Sequence, residues 1–201
     1  MTDLTLLHTA QIHCATFDRL APNAELHQVV REDWLARAQN GIDDDLAAEI
    51  TAAVKAVEGP VLCTCTTIGA VAEAAGATRI DWPMMQAAAR TGGPVLMVYC
   101  LDSTAAPSEA LLRRAFSKQN KEAVIRTFPL TGLWRHFSDG DVETFNEQIA
   151  IGIDSSLVTA PDTACVVLAQ ASMAGAAALV QGDVPVLASP SIAIQALLPA
   201  V

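Results

Sequence analysis

The sequence predicts an α/β protein built on parallel strands, and three observations carry that prediction. Strand-like and helix-like stretches alternate along the chain, which implies a parallel sheet covered on both faces. Two of the strand-like stretches, Val61-Leu62-Cys63-Thr64-Cys65-Thr66-Thr67 and Cys165-Val166-Val167-Leu168-Ala169-Gln170-Ala171-Ser172-Met173, share one design. Each is a short apolar run that stops abruptly at small polar residues and is followed by a small-residue helix. Such a run reads as a buried strand delivering polar groups to its carboxyl end, where ligands bind in open α/β sheets. Finally, Gly92-Gly93-Pro94 punctuates the chain near its middle and divides two halves of similar pattern.

The elements follow in order. Thr5 to His8 reads as a strand, Cys14 to Leu20 as a helix and Glu25 to Val30 as a strand. Asp33 to Ala38 and Leu46 to Val57 read as helices. The second of these carries Leu46, Ile50, Ala53, Val54 and Val57 at helical spacing. Asp43-Asp44-Asp45 precedes it, where carboxylates complement the positive end of the helix dipole. Pro60 to Thr64 is the strand that reaches Cys65, and Ile68 to Ala75 the helix after it. Trp82 to Arg90 is helical, with Gly92-Gly93 as its stop signal. The pattern then restarts with a strand from Pro94 to Tyr99, a helix from Glu109 to Ser117 and a strand from Val124 to Phe128. Val142 to Ser156 is a long helix with Phe145, Ile149, Ile153 and Leu157 in a core stripe. A strand from Cys165 to Leu168, a helix from Met173 to Val180, a strand from Val184 to Leu187 and a helix from Pro190 to Leu198 complete the chain.

Composition narrows the function classes. With 201 residues, 52% of them hydrophobic, the chain can bury a substantial core. No apolar run approaches the roughly 18 to 20 residues of a membrane span. Met1-Thr2-Asp3 lacks the positive start of a signal peptide, so a cytoplasmic location is expected and a membrane partner is not. The net charge of −10 disfavours nucleic acid, whose binding needs clustered Lys and Arg. Five cysteines, an odd number set largely in strands, suit reduced thiols better than a disulfide framework. Cys63-Thr64-Cys65 lacks the second ligand pair of a zinc site.

Candidate chemistry gathers at the strand ends. Cys65 is followed by Thr66, Thr67 and a helix N-terminus, a place that favours an anion and sharpens a cysteine. It reads equally as an ordinary small core residue. Cys63, within the strand, reads as core. Gln170 can exchange hydrogen bonds with a polar ligand or brace its own loop, and Ser172 follows it. Ser103 and Thr104 hold the equivalent place in the second half, and His8 and Thr9 end the first strand. A lone histidine is more often a core or loop residue than a catalyst, although a strand end admits the functional role. His13, His27 and His136 have no such placement.

In these segments the chain resembles the aspartate/glutamate/hydantoin racemase superfamily, with its maleate isomerase and arylmalonate decarboxylase relatives. The likeness spans nearly the whole length. It rests on Cys63-Thr64-Cys65-Thr66-Thr67, Ile80-Asp81-Trp82-Pro83-Met84, Ser103-Thr104, the strand from Cys165 with its small-residue turn, and Val184-Pro185-Val186-Leu187. The resemblance implies two Rossmann-like three-layer α/β/α domains with parallel sheets, related by a pseudo-twofold axis. The first would comprise residues 1–92 plus 186–201 and carry Cys65; the second, residues 93–185, would carry Gln170. It implies an active site in the interdomain cleft, no cofactor or metal, and two thiols flanking the α-carbon of a small carboxylate, an amino acid or dicarboxylate. A homodimer is a further expectation. By position Cys65 matches the first thiol, and Thr66, Thr67, Ser103 and Thr104 match carboxylate-holding positions. The second thiol falls at Gln170, which cannot act as a base, and Cys165 lies inside the strand. The expected function is therefore racemase-type proton transfer with Cys65 as acid/base or nucleophile. The alternatives are a one-thiol decarboxylase, isomerase or lyase, or a carboxylate-binding protein without turnover. A different second base, such as His8, would restore racemisation.

Overall fold

The structure is a computed structural model that describes residues 4–198. Met1-Thr2-Asp3 and the last residues of the segment 186–201 lie outside the described residues. The described chain forms two four-stranded parallel sheets. The first contains β1 (Leu4–His8), β2 (Leu26–Val30), β3 (Val61–Cys63) and β4 (Thr78–Arg79) in the order β2-β1-β3-β4. The second contains β5 (Val95–Tyr99), β6 (Ile125–Pro129), β7 (Cys165–Leu168) and β8 (Val186–Ala188) in the order β6-β5-β7-β8. The two orders are the same, so the halves repeat one topology. In each, strand order reverses beside the first strand, and that is where open α/β sheets place their ligands.

The helices are α1 (Ile12–Leu20), α2 (Glu32–Ala38), α3 (Asp44–Lys55), α4 (Thr66–Ala74), α5 (Trp82–Thr91), α6 (Asp102–Ser117), α7 (Trp134–Ser138), α8 (Val142–Thr159) and α9 (Ser189–Leu197). The strands alternate between two hydrophobic faces, as the pleat requires. In the second sheet Val95, Met97, Cys165 and Val167 pack with residues of α5 and α6. Leu96, Val98, Val166 and Leu168 pack with Phe145, Ile149 and Ile153 of α8. In the first sheet Leu7 and Cys63 pack with Trp34, Leu46, Ile50 and Ile68, while Leu4, Leu6 and Leu62 meet Phe17, Ala193 and Ile194. Asp43 caps α3, its side chain accepting from the Leu46 N–H at 2.7 Å, with Asp44 and Asp45 in the first turn.

Two helices are exchanged between the halves. α5 follows the first sheet in sequence, yet Met84, Met85, Ala88 and Ala89 are buried in the core of the second. α9 follows the second sheet, and its Ala193 and Ile194 complete the core of the first. The return crossing comes later than the expected boundary at residue 186. Val186–Ala188 pairs with β7, residue for residue with Val166–Leu168, and only α9 passes back. Because β8 is an apolar strand like its neighbours, local pattern does not say which sheet it joins.

Other boundaries moved for local reasons. α6 starts at Asp102 rather than Glu109, running through Pro107; one missing backbone donor near the helix start is tolerated where the helix packs against α4 and α5. The helix expected from Met173 to Val180 is instead a 3-10 run, Ala171–Ala178. β4, α7 and the 3-10 turn Thr131–Leu133 are short elements without a periodic signal. Gly92 and Gly93 both take positive φ, 73° and 70°, which lets the chain turn sharply from α5 into β5. Among the described residues no helix is long and apolar enough to cross a membrane.

Candidate active site between the two sheets

The carboxyl ends of the two sheets meet. β1 and β3 leave the first sheet side by side, with Leu7 paired to Cys63. β5 and β7 leave the second, with Val98 paired to Leu168. Residues just beyond these four ends line a cavity of about 30 Å³. The Thr66 hydroxyl donates to the Ala169 carbonyl at 3.1 Å across the domain junction, and the Thr67 and Ser103 hydroxyls pair at 3.3 Å. Nearby, Arg114 of α6 grips Glu73 of α4 with two hydrogen bonds, at 2.9 and 2.5 Å.

Cys65 is still extended (φ −110°, ψ 119°) and forms the N-cap of α4, so the unpaired N–H groups of that helix begin beside it. Its side chain does not cap the helix; it is half-buried in the cavity wall. The other strand thiols are shut away. Burial pushes the Cys63 thiol up, that of Cys100 up to about 12 and that of Cys165 up to about 11. Cys63 also turns its Sγ to the Cys65 carbonyl at 3.5 Å.

Gln170 occupies the matching position in the second half: extended (φ −132°, ψ 141°), N-capping the 3-10 run and lining the same cavity. Its chemistry is different. Oε1 accepts from the backbone N–H of Cys100 at 2.6 Å and of Leu101 at 3.1 Å, so the amide braces the turn leaving β5. The two N–H groups that could hold a ligand oxygen there are filled by the protein's own carbonyl. Gln170 Nε2 is the part of the amide left to donate to a ligand.

Of the other expected residues, Thr9, Thr66, Thr67, Thr104 and Ser172 line the cavity. Ser103 stands behind it, holding Thr67. His8 is not brought into the cavity wall. It is fully buried, with Nδ1 2.8 Å from Thr64 Oγ1 and Nε2 3.0 Å from Gln28 Oε1. Gln28 Nε2 donates to Asp18, so its oxygen faces His8 and the imidazole proton sits on Nε2. The single proton of the Thr64 hydroxyl lies between His8 Nδ1 and the Leu7 carbonyl, which is 3.1 Å from Thr64 Oγ1. Burial, outweighing the Gln28 hydrogen bond and the Asp18 charge, lowers the His8 pKa and keeps the ring neutral. With both nitrogens engaged, His8 positions Thr64, which does line the cavity.

The histidine that reaches the cavity is His13, on the first turn of α1. Burial first, and then the neighbouring His8, lower its pKa to about 4. Its ring lies 6.0 Å from that of Phe137, which joins α1 of the first half to α7 of the second. Attention to strand ends alone misses it; the usable signal is that the helix turn after a strand end faces the same cleft. Trp134 and Leu35 also line the cavity and carry no sequence signal for it. Among the described residues no cluster of three or more His, Cys, Asp or Glu is placed to hold a metal ion.

Beneath this strand end lies a buried ion pair. Arg79 Nε and Nη2 donate to the two carboxylate oxygens of Asp81 at 3.0 and 2.7 Å, with both side chains almost fully enclosed. Gly69 makes room for it: a Cβ there would sit 3.0 Å from Arg79 Nε. The pair locks the end of β4 and the start of α5 against α4, the helix that Cys65 caps.

No protein-family model matches the chain, and no curated protein matches it by sequence. Solved structures do. An aspartate racemase from Picrophilus torridus aligns over 98% of this chain and 94% of its own, at 13% identity and a TM-score of 0.62. An aspartate racemase homologue from Pyrococcus horikoshii OT3 aligns over 98% of both chains, at 13% identity and a TM-score of 0.60. The likeness covers both sheets and their connections, and establishes that this chain has the two-domain α/β fold of these proteins.

Proposed function

We propose that the chain is a racemase-type enzyme that moves a proton at the α-carbon of a small carboxylate, with Cys65 as its acid/base. The observation that carries this reading is the placement of Cys65. It is the half-buried thiol at a strand end, beside free helix N–H groups, in a cavity lined by both halves. The fold shared with an aspartate racemase supports it. The thiol needs an acidified carbon next to a carboxylate. In this reading backbone N–H groups at the start of α4 and Gln170 Nε2 donate to carboxylate oxygens as enolate charge develops.

Gln170 cannot supply the second base. Cys65 and His13 are the ionisable side chains lining the cavity among the described residues. In an inverting reaction one would remove the α-proton while the other delivers a proton to the opposite face. The reverse turnover restores both. His13, neutral near pH 7, enters that cycle as proton acceptor.

The test is deuterium exchange at the α-carbon of a panel of carboxylates in heavy water, followed with the native chain, Cys65→Ala and His13→Asn. Exchange lost in Cys65→Ala for one enantiomer of a substrate, together with its racemisation, supports the reading. Exchange of both enantiomers continuing unchanged in Cys65→Ala overturns it. In His13→Asn, exchange retained without racemisation identifies His13 as the second base, and racemisation retained excludes it.

A further inference from the structure

The cavity at Cys65 has room for about two water molecules, at roughly 10–15 Å³ each. That is enough for a carboxylate group and not for the rest of a substrate. A second cavity, of about 220 Å³, adjoins it and shares His13, Ala171 and Ser172 as walls. It opens between α1 of the first half and α7 and α8 of the second. Its apolar walls include Ile12, Phe137 and Val142, and Arg19 stands at its edge on the exposed face of α1. Arg19 makes no ion pair among the described residues.

Two residues of this wall, Asn146 and Ser172, carry a buried oxygen with no hydrogen-bond partner among the described residues, Oδ1 and Oγ respectively. Buried polar atoms are nearly always paired; the Ser172 hydroxyl can donate to an anionic ligand after a small rotation, whereas Asn146 Oδ1 only accepts and calls for a donor. Gly175 lets the Asn146 amide lie flat against the chain, since a Cβ there would collide with it. The volume is informative too. A cavity of about 150 Å³ accommodates benzene, so this one is larger than a two-carbon side chain requires.

We propose that the second cavity is the subsite for the substituent of the substrate, and that it takes a ring-sized group tipped by a carboxylate or similar anion. The ring packs between Ile12, Phe137 and Val142, and the anionic tip meets Arg19. This assignment rests on the reading of Cys65 as the reacting end, because it is the shared wall that joins substituent to α-carbon.

Three probes separate the possibilities: 2-(4-carboxyphenyl)propionate, 2-phenylpropionate and propionate. Binding is read by protection of Cys65 from iodoacetamide, and chemistry separately by α-deuterium exchange. The carboxyphenyl probe is expected to protect at concentrations about tenfold or more below propionate. Arg19→Ala is expected to weaken the carboxyphenyl probe by about tenfold and leave the phenyl probe unchanged. Ile12→Trp, at an exposed position where the larger ring fills the cavity, is expected to weaken both ring probes. Protection by all three probes at equal concentration, insensitive to both variants, overturns the subsite. Protection in the expected order without deuterium exchange upholds the subsite and counts against the catalytic reading. Exchange of propionate alone, with no ring probe bound, does the reverse.

Discussion

The ends of β3 and β7 are the same place in two copies of one topology, and they have been put to different use. At the first, Cys65 leaves the strand with its side chain uncommitted in the cavity wall. At the second, Gln170 leaves with nearly the same backbone angles, but its oxygen is consumed by two N–H groups of the adjacent strand end. The helices that follow also differ: an α-helix after Cys65, a 3-10 run after Gln170. Topology therefore delivers a polar side chain to the cleft at both ends, while residue type and hydrogen bonding set what each is free to do. One end is read as chemical and the other as structural, and the contrast can be broken by experiment.

The largest effect expected is on chemistry. Cys65→Ala should lower α-proton exchange by about 10²–10⁴-fold, the usual worth of a positioned acid/base, while its melting temperature stays close to native. Next comes the buried ion pair that supports the first strand end and has no buried counterpart at the second among the described residues. Asp81→Ala leaves the Arg79 charge buried and alone, and urea denaturation should show a loss of about 3–5 kcal/mol. Acid should weaken the cleft as well. His13 has a pKa of about 4 in the fold against 6.5 when exposed, so the unfolded chain binds a proton more readily between those values. Stability from this group is complete above pH 6.5 and falls as pH drops towards 4, by about 3 kcal/mol at most. His8 contributes in the same direction, and His13→Phe should flatten the decline.

The smaller effects sharpen the comparison. Gln170→Ala should cost about 1–3 kcal/mol by stranding the buried N–H of Cys100 and the neighbouring N–H of Leu101, measured by urea denaturation. A stability-neutral Gln170→Ala would deny the bracing role. Alkylation followed by mass mapping should then rank the thiols. Cys65 and Cys14 are partly exposed and should label in the folded protein, whereas Cys63, Cys100 and Cys165 should label only on unfolding.

Much of this was legible in order of residues. The apolar runs ending at Cys65 and Gln170 announce buried parallel strands because a strand covered on both faces has no polar side to alternate with. Phe145, Ile149 and Ile153 announce the core face of α8, and all three are fully buried. Less was legible wherever a residue's role depends on a distant partner. His8 ends a strand but is held away from the cavity wall by Gln28 and Thr64, while Gln170 reaches the wall and also braces the N–H groups of Cys100 and Leu101, so of its two readings both hold in part. His13 looked unplaced until the first turn of α1 came to face the cleft.

By itself the sequence determined the alternation of strands and helices, the repeat of that pattern in two halves, and the arrival of small polar residues at the strand ends. These follow from periodicity and side-chain size, which act over a few residues. Only the tertiary structure decided that α5 and α9 are exchanged between the two cores, that Val186–Ala188 stays with the second sheet, and that Cys65 and Gln170 face one cavity with unequal freedom. Those outcomes depend on which apolar faces, and which buried donors and acceptors, meet across the fold, and meetings over a hundred residues of chain leave no trace in local pattern.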